Sequence, residues 1–567
     1  MSNLPAPRIF ILPLLMLAAL LPAACGDANQ PGANTTSSPM LLNTCRVKGV
    51  ESEVRCATLN VYENRETRLG RKIGINIVVL PATARVKETD PVFLFAGGPG
   101  QAAAALAPQA LAILGSLNNK RDIVLIDQRG TGKSNGLICK IPEMTDPALG
   151  NLADPVRRDE KIKKILSECR DVLARNADLT QYTTTIAMAD YDEVRVALGY
   201  SKINLWGASY GTRAAMEYLR RYPERVRSVV IDGVAPPSMV LPVEFAQDAG
   251  AAYQKLLSAC EKEAICVKNF PAFRQQIDTV LERLGNAPQK VILANPLTGK
   301  SSEVAVTRDM VLAAIFSTLY LPEMAAILPA AMNQAAAGDF AMLMTISAVF
   351  TEMTEDQSSF GMRLSVTCAE DIPRYQSAMI ERAAGIAPFR RLFIDEFAKA
   401  CEVWPKGKMA TDFDQPVKSD KPVLILSGGL DPVTPPIHGD EVKKTLTNAV
   451  HFIAPNVGHG VSHKGCAPKL VKKFIETAST TGLDGECLKK LPRALFYEPL
   501  QEKKPIVEHR VVTATEPKLA GGKENSKENS KENSKENSKE NSKENTSTNA
   551  PSNGPSNKTA EQREMQK

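Results

Sequence analysis

The sequence has few histidines and lacks any pair of cysteines separated by two residues. Among its 567 residues only five are histidine. Structural zinc sites usually combine closely spaced cysteines with histidines, so the sequence implies no metal ion, and no motif in it implies an organic cofactor. The formal net charge of +6 is small for this length and is spread along the chain, so nucleic acid is not expected as a partner.

The N-terminal apolar run is too short for a comfortable membrane span. It extends from Ile9 to Leu21 after one basic residue, Arg8, and therefore predicts a secretory signal over residues 1–24. Small residues directly before Cys25 resemble a bacterial lipoprotein cleavage site, although Pro22 departs from the usual pattern. We expect an exported protein of the cell envelope, membrane-anchored through a lipid on Cys25; the alternative is ordinary cleavage near Ala24 and a periplasmic protein.

Without Cys25 the cysteines number ten, an even count, out of 11 in the whole chain. In an exported protein this count suggests disulfides, and the cysteines fall as sequence neighbours. The alternative is a set of buried free thiols. The expected pairs are Cys45 with Cys56, Cys139 with Cys169, Cys260 with Cys266, Cys368 with Cys401, and Cys466 with Cys487.

The chain is too long for one core of ordinary size, and its composition divides it into segments. Short, fully apolar strands alternate with helical stretches, which indicates a parallel sheet covered on both faces. One long stretch interrupts this alternation with helix-like segments and no strand of comparable strength, which is typical of a cap over the strand ends. From Lys523 to Thr546 the chain repeats Lys-Glu-Asn-Ser, a charge-balanced tract that cannot bury enough apolar surface to order itself. The expected segments are a flexible tether at 25–44, a core at 45–237, a helical cap at 238–417, the rest of the core at 418–500, and a disordered tail at 501–567.

The most informative stretch is a G-x-S-x-G turn centred on Ser209. An apolar strand beginning at Ile203 enters it, and a helical pattern follows it. This combination predicts a nucleophile elbow, in which a strained turn exposes the serine hydroxyl at a helix N-terminus and the flanking positions, Gly207 and Gly211, have no room for a side chain. The alternative is an ordinary turn serine.

A nucleophilic serine needs a base, and the base needs an orienting acid. His459 is the predicted base, because it lies in a glycine-flanked loop directly after an apolar strand, and His463 is its rival. Asp431 follows the preceding strand and is the predicted acid, with Asp440 as the fallback. Asp127 also ends a strand but precedes the serine, so we interpret it as a structural residue that bonds the backbone of the turn at 128–130.

Two further tasks, stabilising the oxyanion and binding the substrate's N-terminus, need residues near Ser209. The tetrahedral intermediate needs backbone donors, for which we predict the N–H groups of Tyr210 and Gly98; taken alone, the loop at Gly98 could be a plain tight turn. Glu370 and Asp371 are predicted to hold a substrate's ammonium group, and the alternative for them is a solvated acidic pair.

With these residues placed, the sequence resembles the prolyl and tripeptidyl aminopeptidase family of α/β-hydrolases over about Cys45 to Leu500. The resemblance rests on the stretches 97–100, 127–134, 182–184, 194–199, 209–211, 458–460 and 465–466. It implies an α/β-hydrolase fold, with a mostly parallel sheet flanked by helices and a large helical cap inserted before the last two strands. It also implies a serine exopeptidase that acts on peptides with a free N-terminus. Ala96 stands where many prolyl iminopeptidases carry histidine, so prolyl specificity is not implied.

Two other functions fit the same sequence. A carboxylesterase of this fold uses the same tetrahedral chemistry, so the elbow does not separate it from a peptidase. A non-catalytic envelope binding protein could use the fold and the anchor alone, although the apparently complete triad argues against it. The sequence indicates no particular oligomeric state.

Overall fold

The structure, a computed structural model, describes residues 40–139, 155–294, 299–355 and 358–499. The predicted signal at 1–24, Cys25, most of the tether and the tail at 501–567 lie outside the described residues. Within them, no helix is both long enough and apolar enough to cross a membrane.

The strands of the described residues fall into two sheets. The main sheet has nine strands and the other is a two-stranded hairpin. In chain order the strands are β1 Asn43–Cys45, β2 Val54–Tyr62, β3 Lys72–Leu80, β4 Val92–Phe95, β5 Ile123–Ile126, β6 Ile203–Ala208, β7 Val226–Asp232, β8 Gln289–Ala294, β9 Ser301–Val306, β10 Val423–Gly428 and β11 Ala449–Ala454.

Helices follow most strands of the main sheet and fill the cap. Short 3-10 turns occur at Ala103–Leu106, Leu179–Gln181, Pro223–Arg225 and Ile372–Arg374. The α-helices are α1 Ala107–Asn118, α2 Pro155–Ala174, α3 Thr184–Ala197, α4 Tyr210–Arg221, α5 Phe245–Cys260, α6 Ala264–Asn269, α7 Phe273–Asn286, α8 Arg308–Leu319, α9 Pro322–Ala325, α10 Leu328–Ala336, α11 Ala341–Glu355, α12 Phe360–Glu370, α13 Ser377–Ala384, α14 Leu392–Val403, α15 Pro436–Lys443, α16 Ala467–Thr477 and α17 Glu486–Lys489.

The main sheet runs in the order β1-β2-β3-β5-β4-β6-β7-β10-β11. From β5 to β11 every neighbouring pair is parallel, while β1, β2 and β3 pair antiparallel at one side. β2 and β3 pair over eight residues near this side, and β1 adds a three-residue strand outside them. Because the six parallel strands point the same way, their carboxyl ends form one edge, and this edge carries the candidate active site.

Alternate side chains of each central strand enter cores on opposite faces of the sheet. In β4, Phe93 and Phe95 pack with α3 and α4 on one face, whereas Val92 and Leu94 pack with α1 and α16 on the other. Every residue of β4 is buried. Burial on both faces explains why these strands read as continuous apolar runs, with no alternation of apolar and polar residues.

The cap differs from the prediction in one respect. The sequence suggested no strand there of strength comparable to the core strands, but β8 and β9 pair with each other in antiparallel fashion. One side of this hairpin faces solvent, and Ile292 is 78% exposed. The helical segments otherwise pack on their own apolar core, built mainly from α5, α7, α8 and α10.

The predicted cysteine pairs are all disulfide-bonded in the structure. Cys368–Cys401 joins α12 to α14, and Cys466–Cys487 fixes α16 to α17. The alternative of buried free thiols is therefore wrong. Closing such loops limits the unfolded chain, and the effect grows slowly with loop length.

Candidate active site

Ser209 lies between β6 and α4 in a backbone conformation that few non-glycine residues adopt. Its φ is 56° and its ψ is −128°. A Cβ at Gly207 would overlap the carbonyl oxygen of Gly211, and a Cβ at Gly211 would overlap that of Phe95. The two glycines therefore let the chain turn sharply between strand and helix, and the turn places Ser209 at the N-terminus of α4, where negative charge is favoured.

Asp431 and His459 lie on loops that follow neighbouring strands, β10 and β11. The Asp431 Oδ2 atom is 2.8 Å from Nδ1 of His459. The carboxylate is fully buried, whereas the imidazole keeps 19% of its side-chain surface exposed. An acid that is buried against one ring nitrogen leaves the other ring nitrogen as the basic one, which is the arrangement of a catalytic acid and base.

Thr434, which the sequence analysis did not single out, orients this acid. Its hydroxyl donates to Asp431 Oδ2 at 2.7 Å, and the other carboxylate oxygen accepts from the N–H groups of Val433 and Thr434. Because two N–H groups of its own loop donate to the Asp431 carboxylate, the loop holds this carboxylate in place independently of His459. A threonine three residues after a predicted acid is the sequence signal that could have revealed it.

The charges of Asp431 and His459 each shift the pKa of the other residue. Burial alone would lower the pKa of His459, but the charge of Asp431 and its hydrogen bond outweigh burial and raise it. Burial alone would raise the pKa of Asp431, but the His459 charge and several hydrogen bonds hold it below its usual range. The pair therefore favours the state with an ionised acid beside a protonated ring, which is the state that forms when a serine gives up its proton.

Asp232, at the end of β7, connects the elbow to the histidine loop. Its backbone oxygen accepts from Ser209 N at 3.0 Å. Its buried carboxylate accepts from the N–H groups of Val461 and Ser462, just after His459. One residue thus bonds both segments that must meet, and neither periodicity nor a motif in the sequence signalled this role.

The serine and histidine side chains are not joined directly in the described part of the chain, where no hydrogen bond links Ser209 to His459. Such bonds are often long before a substrate binds and shorten in the reacting complex. His459 is held in place by its own backbone N–H, which donates to Tyr320 O at 2.9 Å. The Tyr320 ring also packs edge-on against the imidazole, with ring centres 5.2 Å apart.

The loop predicted to supply an oxyanion donor lies against the elbow. A Cβ at Gly97 would be 3.4 Å from the Cβ of Ser209, and Gly98 has a φ of 108°. Tyr210, the other predicted donor, is buried, and its hydroxyl contacts Gln128 and Thr184 at 3.1 and 2.6 Å. The loop that carries the N–H group of Gly98 therefore lies against Ser209, and the N–H group of Tyr210 belongs to the residue that follows Ser209.

The alternative base, His463, and the alternative acid, Asp440, are not part of the Asp431–His459 pair. His463 is exposed, and burial of part of its ring together with the Lys464 charge lowers its pKa. Asp440, a residue of α15, contacts Nδ1 of His451 at 2.9 Å instead of His459. Asp127 does bond backbone, but its partners are the N–H groups of Ala104 and Lys133 instead of the predicted 128–130 turn.

Glu370 and Asp371 are both fully buried, so the alternative of a solvated acidic pair is wrong. Glu370 accepts from the backbone and hydroxyl of Thr184 at 2.6 and 2.8 Å. Burial raises the pKa of Glu370 to about 8, and the Asp371 charge adds to this shift. Asp371 lies between the guanidinium groups of Arg213 and Arg374, at 3.1 and 3.0 Å. These contacts favour a structural role, joining α12 to the core, over substrate binding.

Two sequence profiles match this chain. The profile described as the α/β-hydrolase fold matches residues 90–259, which include the elbow. The chain has the α/β-hydrolase fold. A second profile, described as TAP-like protein, matches residues 387–487 of this hydrolase, which include Asp431 and His459.

Curated relatives of the hydrolase include peptidases. It is 22% identical to serine protease Hip1 of Mycobacterium tuberculosis over 461 residues, which cover 76% of this chain and 87% of the relative. It is 27% identical to tripeptidyl aminopeptidase of Streptomyces lividans over 196 residues, 33% of this chain and 36% of the relative. The solved structure of a serine hydrolase from Cycloclasticus zankles covers 74% of this chain and 98% of its own, with 13% identity and a TM-score of 0.35. This hydrolase is a serine enzyme.

Proposed function

We propose that this hydrolase is a serine aminopeptidase that uses Ser209, His459 and Asp431 as its catalytic triad. The observation that carries the proposal is the 2.8 Å contact between Asp431 Oδ2 and His459 Nδ1 beside the elbow. Ser209 Oγ bonds to the scissile carbonyl carbon while its proton passes to Nε2 of His459. The N–H groups of Tyr210 and Gly98 stabilise the resulting oxyanion.

The second half of the reaction follows from the same groups. As the C–N bond breaks, His459 gives its proton to the leaving amine, and the acyl group stays on Ser209. The imidazole then takes a proton from water, the hydroxide attacks the acyl carbon, and Ser209 recovers its proton as the acid product leaves. Asp431 remains ionised throughout and stabilises the imidazolium in both steps.

The substrate class in this proposal is a peptide with a free N-terminus, supported by the names of the relatives. Its ammonium group needs a carboxylate. Because Glu370 and Asp371 have other partners, Glu244 is our candidate. Its carboxylate accepts from Val240 N at 3.0 Å. The Arg213 charge acts on this carboxylate, but no ion pair with it is present in the described residues. Burial raises the pKa of Glu244 to about 7, and binding an ammonium would restore its charge.

A panel of three substrates tests the peptidase assignment. We expect the protein to cleave a short peptidyl amide with a free N-terminus about tenfold to a hundredfold faster, in kcat/KM, than its N-acetylated form. The reason is that acetylation removes the charge that a buried carboxylate would bind. The third substrate is a short acyl ester, and Ser209→Ala protein is the blank for all three. Activity confined to the ester would instead assign a carboxylesterase of the same fold.

We also propose that the chain is exported and anchored to a membrane by lipid on Cys25. The support is the run from Ile9 to Leu21 with small residues before the cysteine. Acyl chains gain about 0.8 kcal/mol for each buried CH₂ group, so several chains hold a protein on a bilayer. Cys25→Ser should move the protein from the membrane fraction to the soluble fraction, whereas Thr35→Ser should not. Wild-type protein recovered in the soluble fraction would contradict the anchor.

A further inference from the structure

Arg363 is a partly buried cation beside the loop that holds Gly98. It lies in the first turn of α12, in the cap. The strand-like segment before this helix is bonded to the loop, since Ser359 N donates to Gly100 O at 2.8 Å. This bond holds the start of α12 against the loop at 97–100, and Arg363 lies next to that loop.

The guanidinium of Arg363 has weak partners for a group with five donors. Its Nε is 3.5 Å from Pro99 O, and one terminal nitrogen is 3.4 Å from the Ser358 hydroxyl. Both distances are at the long limit for a hydrogen bond. No carboxylate pairs with Arg363 in the residues that the structure describes. Arg213 and Arg129, which are fully buried, each form an ion pair with an aspartate.

The position of Arg363 relative to the triad follows from two contacts. Pro99, its nearest carbonyl, is two residues from Gly97, which lies against Ser209. The second contact is electrostatic and involves Tyr320. Burial and the Asp431 charge raise the pKa of Tyr320, and the charge of Arg363 lowers it. Tyr320 packs on His459. Arg363 thus lies beside the loop that contacts Ser209, and its charge reaches Tyr320, the residue that packs on His459.

We propose that Arg363 is a specificity residue that binds a carboxylate of the substrate next to the catalytic centre. The inference rests on the proposed function, since it names a chemical feature of the peptide. A partly desolvated guanidinium without an acid partner gains most from a carboxylate, which it can bind through two parallel hydrogen bonds. The carboxylate belongs either to the C-terminus of a short peptide or to an acidic side chain near the scissile bond.

Matched substrates distinguish these two sources. One pair of short peptides with free N-termini differs only in a C-terminal carboxylate or amide, and a second pair, both amidated, differs in glutamate or glutamine after the scissile bond. For one of these pairs, wild-type kcat/KM should favour the charged member by about tenfold. The pair that shows the preference identifies the source.

Variants then test whether Arg363 causes the preference. Arg363→Gln should reduce the ratio to about one, Arg363→Lys should keep part of it, and Arg382→Gln, which changes an exposed arginine of the cap, should leave it as in the wild type. If wild-type protein discriminates within neither pair, the proposal is wrong. It is also wrong if Arg363→Gln lowers both members of a pair equally and lowers Tm, because that result shows a purely structural role.

Failure of the peptidase assignment gives a different pattern. A protein that a fluorophosphonate labels but that cleaves no peptide would contradict the aminopeptidase function. The same test of Arg363 then uses acyl esters of matched length with a terminal carboxylate or amide. If the wild type prefers the ester with the carboxylate and Arg363→Gln abolishes this preference, the anion site is supported. If the wild type hydrolyses both esters at equal rates, the proposal is wrong.

Discussion

Replacing Ser209 with Ala should lower kcat by about 10⁶-fold and leave the fold intact, as removal of the nucleophile does in other serine enzymes. Alanine keeps the Cβ and the strained φ of 56°, and the bond from the backbone of residue 209 to Asp232 O does not involve the side chain. The loss should therefore appear in turnover and in fluorophosphonate labelling, while circular dichroism and Tm stay close to those of the wild type.

The control for this substitution is Ser201→Ala, which changes an exposed serine in the turn before β6. It should keep wild-type kcat and labelling. If Ser209→Ala protein retained hydrolysis above the blank, the nucleophile would be another residue. If wild-type protein were neither labelled nor active, the chain would use its fold for binding, as in the non-catalytic alternative.

The parts of the site that the sequence predicted are those whose physical cause is local. Ser209 stands in a motif whose glycines are required by contacts within five residues and with the adjacent strand. His459 and Asp431 each follow a fully or partly buried strand, and parallel strands bring such loops to one edge of the sheet. The disulfides also join cysteines that are neighbours in the sequence, so pairing each cysteine with the next one predicted them correctly.

The parts that the sequence did not predict depend on partners far away in the chain. Glu370 and Asp371 look like a surface pair, but Thr184 and Arg213, 186 and 158 residues distant, bury them. Asp232 acquires its role from backbone groups 229 and 230 residues later. No spacing rule reaches over such distances, because only the folded sheet brings these segments together.

The hairpin in the cap was missed for a different reason. Strands β8 and β9 alternate exposed and partly buried residues, and few of them are fully buried. A two-stranded hairpin is only marginally stable by itself in water. Its strands also lack the continuous apolar runs that mark the strands of the main sheet. They lie between strongly helical segments, and a search for apolar runs overlooks them.

Asp431→Asn should lower kcat by about 10⁴-fold, as the corresponding change does in other serine triads. The amide oxygen can still accept from the N–H groups of Val433 and Thr434. The NH₂ group then faces Nδ1 of His459, 2.8 Å from the present oxygen, so the ring must carry its proton on Nε2. In that tautomer the imidazole cannot accept the proton of Ser209.

The pH dependence gives this substitution a second readout. The imidazole must be neutral to act as a base, so wild-type kcat/KM should fall as the pH drops through the pKa of His459, which the Asp431 charge raises above its ordinary value of 6.5. Without that charge, burial lowers the pKa of His459 and only the weaker effect of the Asp232 charge opposes it, so the midpoint of the residual activity should move to lower pH. Asp440→Asn, which changes the exposed partner of His451, should alter neither kcat nor the midpoint. A large loss in Asp440→Asn with normal activity in Asp431→Asn would transfer the role of the acid to Asp440.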